Sequence, residues 1–340
     1  MRRRSRIAAA ALTLLTLAGC TGSGTSTDPT VADTSLTIYS GRSEDLVGEL
    51  IKSFEAESGV AVDVRYGDSG ELAALLLTEG DASPADVFFS QDAGALGAVE
   101  GLLAALPQAT LDTVVAKYRA TSGKWVGVTG RVRVIVYNPG LVASPPSSID
   151  ELTDPQWSGR IGYAPSNASW QSFVTALRVL RGEDGAREWL LGFAANKPVA
   201  FEKNAAVRDA VNDGSISLGL VNHYYLLEKI AAEGRAAVKA ENQYVGNGDP
   251  GGLVNVAGVG MLSGAPHKGA AQKFVDFLQS ETALDYFRTK TWEYILTTGA
   301  QQPEGLPGLD ELGAPSIDLS GLSSLAETQE LLQSVGLLTK

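Results

Sequence analysis

The stretch "KWVGVTGRVRVIVYNP", residues 124–139, decides the fold that the sequence predicts. It is a long extended pattern, rich in valine, and no helical period runs through it. Strand and helix patterns alternate on both sides of it. We therefore interpret this stretch as a crossover that leaves one α/β unit and enters a second.

The alternation before the crossover is regular. "LTIYS" (36–40) predicts a strand, and residues 43–58 carry apolar side chains at helical spacing. That helix begins at Ser43, a residue typical of N-caps. Two more strand patterns follow, "VAVDVRY" (60–66) and "ADVFFS" (85–90). With a helix between each pair of strands, this order predicts a mostly parallel sheet covered by helices on both faces.

A second alternating set follows the crossover. It opens with the strand pattern "GRIGYAP" (159–165), and helices are predicted over about 169–181 and 184–195. It closes with the strand pattern "SISLGLV" (215–221), which runs into a helix over about 225–233. The repetition predicts a second α/β unit of similar construction.

A second crossover is predicted by the Gly-rich extended stretch "DPGGLVNVAGVGML" (249–262), and residues 267–289 predict a helix. We therefore expect an α/β fold of two lobes, each a mostly parallel sheet flanked by helices, joined by two extended crossover strands. This arrangement resembles the type II periplasmic-binding-protein fold. The expected lobes are residues 36–130 plus about 251–290, and residues about 131–250 plus about 291–340.

The first residues have the pattern of a secretion signal. "MRRRSR" is positively charged, and "IAAAALTLLTLAG" (7–19) is apolar but too short to span a bilayer. The following "LAGC" resembles the lipobox of bacterial lipoproteins, which implies removal of residues 1–19 and a diacylglyceryl chain on Cys20. The alternative is a plain secretory signal with a chance cysteine. Residues 20–35 are small and polar and predict a flexible tether.

Cysteine content and charge exclude several classes of function. Cys20 is the only cysteine, so the folded part offers no disulfide, thiolate metal site or cysteine nucleophile. Asp and Glu number 39 against 27 Lys and Arg. An acidic surface argues against binding to nucleic acid and provides no polybasic patch for a membrane. The lipid on Cys20 would be the membrane anchor, and we expect a monomer.

Ligands in open α/β sheets bind beyond the carboxyl ends of the strands. We therefore expect four loops to face one cleft, and their sequences are "SGRSED", "SQDAG", "APSNAS" and "NHYY". The last contains the adjacent phenols Tyr224 and Tyr225, at a predicted bend from strand to helix where both side chains can enter the cleft. Hard Fe(III) favours anionic oxygen donors, and two phenolates would neutralise two of its three charges. The alternative is that one ring packs in a core and the other lies on the surface.

The wider sequence resembles a known family over about residues 36–300. The order "IYSGR … SPADVFFSQDAGALG … TGRVRVIVYNP … GRIGYAPSNAS … FEKNAAVRDAVNDGSISLGLVNHYYLLEK … GDPGGLV" closely resembles the ferric-ion-binding proteins of bacterial ABC importers. The resemblance implies that Tyr224 and Tyr225 bind Fe(III). It also implies a synergistic anion, phosphate or carbonate, held at the matching positions Asn204, Asn222, Ser166, Asn167, Ala168 and Ser169.

The sequence departs from the family pattern on the opposite side of the expected cleft. Ser43 stands where some members have histidine, and Gln91-Asp92 stands where they have Glu-Gln. Asp92 is a candidate for an iron-ligating carboxylate or for the N-cap of the next helix. Arg42 is a candidate for a bidentate anion contact or for an ordinary surface arginine. With Ser43 and Gln91 as further candidates, we expect an incomplete protein shell that an anion or water completes.

These observations favour an extracytoplasmic, lipid-anchored Fe(III) receptor that delivers iron to the permease and ATPase of an ABC importer. The same fold binding a phosphonate, a sugar phosphate or another small organic or oxyanion solute is the main alternative, and a sensor subunit is another. We expect no enzyme, because there is no nucleophile elbow, no Ser/His/Asp arrangement is evident, and the chain has only two histidines. Of these, His223 is expected to be partly exposed or to support the ligands, and His267 to lie on the surface. Arg131 and Arg133 are expected to face one side of the crossover and to pair with acids.

Overall fold

A computed structural model describes residues 33–338. The predicted signal peptide and Cys20 lie outside the described residues. Ten strands form one mixed sheet with the order β2-β1-β3-β9-β4-β7-β5-β6, and β8 and β10 both pair with β4. The strands are β1 (Ser35–Ser40), β2 (Ala61–Tyr66), β3 (Val87–Ser90), β4 (Trp125–Tyr137), β5 (Ile161–Tyr163), β6 (Val199–Ala200), β7 (Leu218–Asn222), β8 (Glu241–Gln243), β9 (Val254–Met261) and β10 (Tyr294–Ile295).

Helices cover this sheet. They are α1 (Glu44–Ser58), α2 (Ser69–Glu79), α3 (Ala93–Ala98), α4 (Gln108–Asp112), α5 (Ala168–Ala195), α6 (Asn204–Asp213), α7 (Tyr224–Glu233), α8 (Lys268–Phe277), α9 (Glu281–Tyr286) and α10 (Leu325–Ser334). None of the helices in the described range is long and apolar enough to cross a membrane.

Strand β4 has the crossover role predicted for residues 124–139. Its first part, Trp125 to Val132, pairs with β9. From Arg133 onward its partners are β7 and β8. We call the part of the sheet before this change of partner the first arm (β2, β1, β3, β9) and the part after it the second arm (β7, β5, β6). A single strand therefore carries the chain from one arm to the other.

Among the described strands, parallel pairing occurs only between those other than β4 and β9. In the first arm β1 pairs in parallel with both β2 and β3, and in the second arm β5 pairs in parallel with both β6 and β7. All pairs that include β4 or β9 are antiparallel. The α/β interpretation is confirmed, with the antiparallel part concentrated at the crossover strands.

Two of the predicted helical regions are divided by a break in the structure. The two helices predicted over about 169–195 form the single assigned element α5, but Gly182 breaks it with a φ of 74° and a ψ of 169°. Glycine reaches that conformation without the steric penalty of a Cβ. The helical region predicted over 267–289 consists of two helices, because α8 ends at Phe277 and Ser280 then caps α9, accepting a hydrogen bond from the Ala283 N–H.

Two apolar clusters fill the interior. One contains the rings of Phe54, Phe89 and Phe274 beneath the first arm, and Phe274 meets each of the other two edge to face. The other is built around Trp170 and Phe193, whose ring centroids lie 5.5 Å apart. The chain after residue 290 returns to the crossover strand β4. There, β10 pairs with Thr129 and Gly130 of β4. The lobe boundaries stay a prediction.

Candidate metal centre

The tyrosine pair lies at the junction of β7 and α7, as the sequence predicts. Tyr224 is the first residue of α7, and Tyr225 follows it. Their rings stack with centroids 4.4 Å apart and planes inclined by 27°. Tyr224 is buried and Tyr225 is partly exposed. The alternative of one core ring and one separate surface ring is therefore wrong, because the bend at the junction brings both phenols together.

An arginine of the crossover strand acts on each phenol. Burial raises the pKa of Tyr224 well above its usual value, Tyr225 raises it further, and Arg131 opposes both. Burial lowers the pKa of Arg133 to about 9, and the phenol of Tyr225 counteracts that shift. Both effects have the same physical origin, since a guanidinium favours a neighbouring phenolate. The site therefore opposes a free phenolate at Tyr224 and supplies two cations next to the pair.

A polar cluster joins the start of α5 to the start of α6. The Nδ2 of Asn204 donates to the Oδ1 of Asn167 at 3.1 Å and to the Oγ of Ser169 at 3.2 Å. The Nη1 of Arg133 donates to the same Ser169 Oγ at 3.0 Å. Asn204 is fully buried, and its Oδ1 has no hydrogen-bond partner. The Nε of Arg133 also lacks one. Four residues from three separate segments of the chain thus meet, and buried polar atoms are left unsatisfied there.

The remaining predicted anion residues lie around this cluster. Asn222 is buried at the end of β7, opposite Arg133 in the strand register. Ser166 and Ala168 are exposed and line the cleft at the N-terminus of α5. The Oδ1 of Asn167 caps that helix by accepting from the Ser169 N–H. The "APSNAS" loop therefore faces the cleft, as expected for the loop that follows β5.

Arg42 does not have the surface role that was one of its two predicted roles. It is fully buried, so the surface-arginine alternative is wrong. Its Nη2 pairs with the Oε2 of Glu293 at 2.5 Å, and its Nη1 donates to Thr129 at 2.9 Å. Arg131 pairs with the other carboxylate oxygen of Glu293 at 3.7 Å. One carboxylate from the C-terminal region is thus shared by two buried arginines, and the anion-binding role of Arg42 stays a prediction.

Glu293 is ionised because of this pairing. Burial raises the pKa of its carboxyl, but Arg42 and Arg131 outweigh burial, and the net pKa lies below the usual value. The prediction that crossover arginines pair with acids is thus confirmed for Arg131. Arg133 instead donates to the carbonyl of Leu220 at 3.0 Å and lies over the Trp170 ring. No sequence pattern singled out Glu293, since its partners come from residues far away in the chain.

Three candidates on the first-arm side are engaged in local structure. Asp92 is the N-cap of α3, where its Oδ1 accepts from the Ala95 N–H at 3.0 Å. Gln91 donates its N–H to the Oγ of Ser69, and its carbonyl accepts from Arg131. The Oε1 of Gln91 has no hydrogen-bond partner. Ser43 is exposed at the start of α1, and its side chain makes no capping bond.

A cleft of about 640 Å³ lies between these elements. Three of the four predicted loops reach it, through Gly41, Gln91 with Asp92, and Ser166. The fourth loop, "NHYY", is not part of its lining, so the expectation that all four line one cleft is wrong. Helices α2, α3 and α5 form its walls. Of the described residues that line it, Asp68, Glu71 and Asp92 are acidic and none is basic. A cleft of this charge attracts cations.

His223 is a residue whose role the sequence did not reveal. It is fully buried, so the expectation of partial exposure is wrong. Its Nδ1 accepts from the Val132 N–H at 3.2 Å, and its Nε2 lies 2.9 Å from the Trp292 carbonyl. This pattern requires a neutral ring that carries its proton on Nε2. Burial lowers the pKa of His223 to about 4. The ring therefore joins the crossover strand, α7 and the segment before β10.

A Ser/His/Asp arrangement does exist, which corrects the expectation from sequence. The Oγ of Ser35 lies 3.1 Å from the Nε2 of His267, whose Nδ1 lies 3.0 Å from the Oδ2 of Asp86. The buried Asp86 carboxylate also accepts from the backbone N–H groups of Thr37 and His267. Ser35 begins a strand at the sheet and lies outside the cleft lining. The three residues hold β1, β3 and the start of α8 together.

The chain is similar to proteins of a known family along most of its length. The family model for the bacterial extracellular solute-binding proteins matches residues 36–293. The chain belongs to this family. Its members bind solutes outside the cytoplasm, and the match spans both arms of the sheet and the tyrosine pair.

Individual members of the solute-binding family narrow the comparison. The chain is 35% identical to the Fe(3+)-binding periplasmic protein of Serratia marcescens, over 90% of this chain and 92% of the relative. It is 31% identical to the major ferric iron-binding protein of Neisseria meningitidis, over 92% of this chain and 96% of the relative. The crystal structure of iron-bound HitA from Pseudomonas aeruginosa superposes with a TM-score of 0.83 at 33% identity, covering 89% of this chain and 100% of that one.

These matches confirm the family resemblance and the type II solute-binding fold predicted from the sequence. They also raise the question of which side chains in this protein could bind a metal ion. No group of three or more His, Cys, Asp and Glu side chains suited to a metal ion occurs within residues 33–338.

Proposed function

We propose that the protein is an extracytoplasmic receptor that binds Fe(III) through the phenolates of Tyr224 and Tyr225 and delivers it to an ABC importer. The single observation that carries this proposal is the stacked tyrosine pair with an arginine acting on each phenol. Relatives that are named for binding ferric iron support it.

The chemistry of the pair suits a hard trivalent cation. In the iron-free protein Tyr224 is a neutral phenol, because its pKa is raised by burial and by Tyr225. Fe(III) replaces the phenolic protons and binds the oxygen anions, since a bound ion reverses the local preference for the neutral form. Arg131 and Arg133 stabilise the phenolates. The acidic cleft attracts the cation and disfavours an anionic solute.

A synergistic anion would occupy the polar cluster next to the pair. The Nε of Arg133 is a buried donor without a partner, and the α5 N-terminus adds backbone N–H groups. Ser166, Ala168 and Asn222 border the same region. Phosphate or carbonate matches donors of this kind in size and charge. In this proposal the anion neutralises the charge that two phenolates leave on the iron.

Asp92 would complete the site from the first arm. Its Oδ1 caps α3, and its Oδ2 makes no hydrogen bond to a described residue, so the carboxylate can cap and ligate together. Burial raises its pKa while Arg131 lowers it. Gln91, Ser43 and Arg42 would then contribute to the anion or to bound water. The resulting shell contains fewer protein ligands than the sequence pattern of the relatives implies.

Location and delivery follow from the same proposal. A diacylglyceryl group on Cys20 would anchor the receptor to the outer face of the membrane, and residues 20–35 would give it reach. Closure of the cleft around iron would form the surface that a permease recognises. Mass spectrometry of the purified membrane-bound protein tests the anchor, because lipidation adds a diacylglyceryl mass to a peptide that begins at Cys20.

The test of iron binding uses the colour of ferric tyrosinate. Titration with ferric nitrilotriacetate should produce a visible charge-transfer band at one iron per chain. The double substitution Tyr224→Phe and Tyr225→Phe should abolish the band and the binding while the far-UV circular dichroism stays unchanged. Tyr137→Phe is the matched control, because Tyr137 lies at the far end of β4. A double variant that keeps its ferric affinity would contradict the proposal.

A metal-free oxyanion receptor is the second candidate, and the unsatisfied Nε donor of Arg133 favours it. Such a protein would bind a phosphonate or sugar phosphate at the α5 N-terminus without iron. Thermal unfolding separates the two. Stabilisation by methylphosphonate or glucose 6-phosphate, with no coloured ferric complex, would favour this candidate.

A further inference from the structure

The last described segment forms a continuous feature that we call the C-terminal strap. It comprises the 3₁₀ turn Leu319–Ser323 and helix α10, which are joined by the single residue Ser324. Its two halves pack in different apolar clusters. Leu319 and Leu322 belong to the cluster beneath the first arm, whereas Leu331 and Leu332 belong to the cluster around Trp170. The strap therefore bridges the two cores.

The first anchor of the strap lies on helix α3. A Cβ added to Gly97 would lie 2.6 Å from the Ser320 carbonyl oxygen, and one added to Gly94 would lie 2.4 Å from the Leu322 carbonyl oxygen. Real Cβ atoms do not approach oxygen so closely. The backbone of the strap thus lies directly against α3, in a space that only glycine leaves open.

The second anchor of the strap lies on helix α5. Thr328 is fully buried, and its Oγ1 lies 2.7 Å from the Oγ1 of Thr175. The Nη1 of Arg178 donates to the Thr328 Oγ1 at 2.8 Å and to the Ser324 carbonyl at 2.9 Å. These buried hydrogen bonds fix the start of α10 to the first half of α5.

The anchored helices carry both sides of the candidate site. Asp92 caps α3, and Asn167 caps α5. Between its anchors the strap lines the cleft with Leu322, Ser323, Leu325 and Ala326. One linking residue extends at most about 3.6 Å. The walls of the cleft can therefore separate widely only if one anchor detaches.

We propose that the C-terminal strap is a positioning segment that holds the walls of the cleft at their binding separation and thereby slows the release of Fe(III). The role in release rests on the proposed iron-binding function. The restraint on the cleft does not, since it follows from the two anchors alone. Substitutions at either anchor should accordingly produce the same change, although the anchors contact different helices.

Two substitutions test the anchors separately. Gly97→Ala forces the strap away from α3 while favouring the helix itself, because alanine has the higher helix propensity. Thr328→Val keeps the side-chain shape and removes the hydroxyl that Arg178 and Thr175 contact. Gly101→Ala is the matched control, because no atom lies within 4 Å of the added Cβ.

Two measurements on the full chain follow for each variant. The first is the rate at which excess EDTA removes iron from the loaded protein, followed by the charge-transfer band. Both anchor variants should release iron about fivefold faster than wild type, the effect of losing about one hydrogen bond, with an unchanged band position. The second is the radius of gyration of the iron-free protein from small-angle X-ray scattering. It should increase in both anchor variants and stay at the wild-type value in Gly101→Ala.

Release rates and radii equal to wild type in both folded anchor variants would overturn the proposal. A change in one folded anchor variant alone would also overturn it, because a bridge needs both ends. If Gly97→Ala does not fold, Thr328→Val decides. If the wild-type protein takes up no iron, the proposed function fails, and the radii of gyration still test whether the strap restrains the cleft.

Discussion

The two sides of the candidate metal centre differ in how freely their polar groups can meet a ligand. On the second-arm side the phenols of Tyr224 and Tyr225 are stacked against each other, and Asn204 and Arg133 have unsatisfied atoms nearby. On the first-arm side Asp92 caps a helix, and Arg42 is paired with Glu293. The comparison teaches that candidate ligands must be judged by their existing partners as well as by residue type.

The largest expected effect comes from removing the second-arm phenols. Tyr224→Phe or Tyr225→Phe alone should weaken ferric binding by more than the about 10- to 100-fold that outer partners of a metal site typically contribute. The stability of the iron-free protein should stay close to wild type, because phenylalanine keeps the stacked ring. Competition against a chelator of known affinity measures the first, and urea unfolding measures the second. A loss of ferric affinity below tenfold would show that the tyrosine pair is not the centre of the iron site.

The next largest effect is expected from a substitution of Glu293, whose carboxylate pairs with Arg42 on the first-arm side. Glu293→Gln removes the negative charge shared by Arg42 and Arg131, both of which are buried. Breaking a buried ion pair leaves uncompensated charge, so the free energy of unfolding should fall by about 3–5 kcal/mol. Urea unfolding measures this. Glu311→Gln, a substitution at an exposed acid, provides the control. An unchanged stability would show that the arginines find other partners.

A smaller effect is expected from acid acting on His223. Its pKa is about 4 in the folded protein against a usual 6.5, so the unfolded chain binds the extra proton first as the pH falls. Stability of the iron-free protein should be complete above pH 6.5 and should fall by about 3 kcal/mol toward pH 4. His223→Gln should show a shallower fall over the same window. Parallel curves for the two proteins would assign the acid sensitivity to other groups.

The smallest effect is expected from Asp92, the candidate ligand on the first-arm side. Asp92→Asn keeps a residue that caps helices well but removes the negative charge. Stability should therefore stay within about 0.5 kcal/mol of wild type. Ferric affinity should fall about tenfold, the lower end of the range for supporting groups in metal sites. Asp92→Ala, which loses the cap as well, is the companion variant. Unchanged ferric affinity in Asp92→Asn would leave Asp92 with the capping role alone.

Local features of the fold could be predicted from the sequence because their signals are local. The strand pattern of 124–139, the start of α1 after Ser43 and the break at Gly182 all depend on neighbouring residues. The tyrosine pair was predicted from a motif and a strand-to-helix junction. Its stacked geometry followed from the bend at that junction.

Long-range partners could not be predicted, because no periodicity or motif encodes them. Glu293 meets Arg42 across 251 positions, and His267 meets Ser35 across 232. The C-terminal strap could not be predicted either, since the burial of Thr328 depends on its contact with Arg178. Exposure of a polar side chain in a cleft depends on such partners. For this reason the second-arm candidates were easier to predict than the first-arm candidates.

The central claim is that two adjacent phenolates hold the iron, and resonance Raman spectroscopy tests it most directly. Excitation in the charge-transfer band of the iron-loaded protein should enhance tyrosinate ring modes. Tyr224→Phe and Tyr225→Phe should each lower their intensity, and the double variant should lose them. A wild-type ferric complex without tyrosinate modes, or modes that persist in the double variant, would contradict the account.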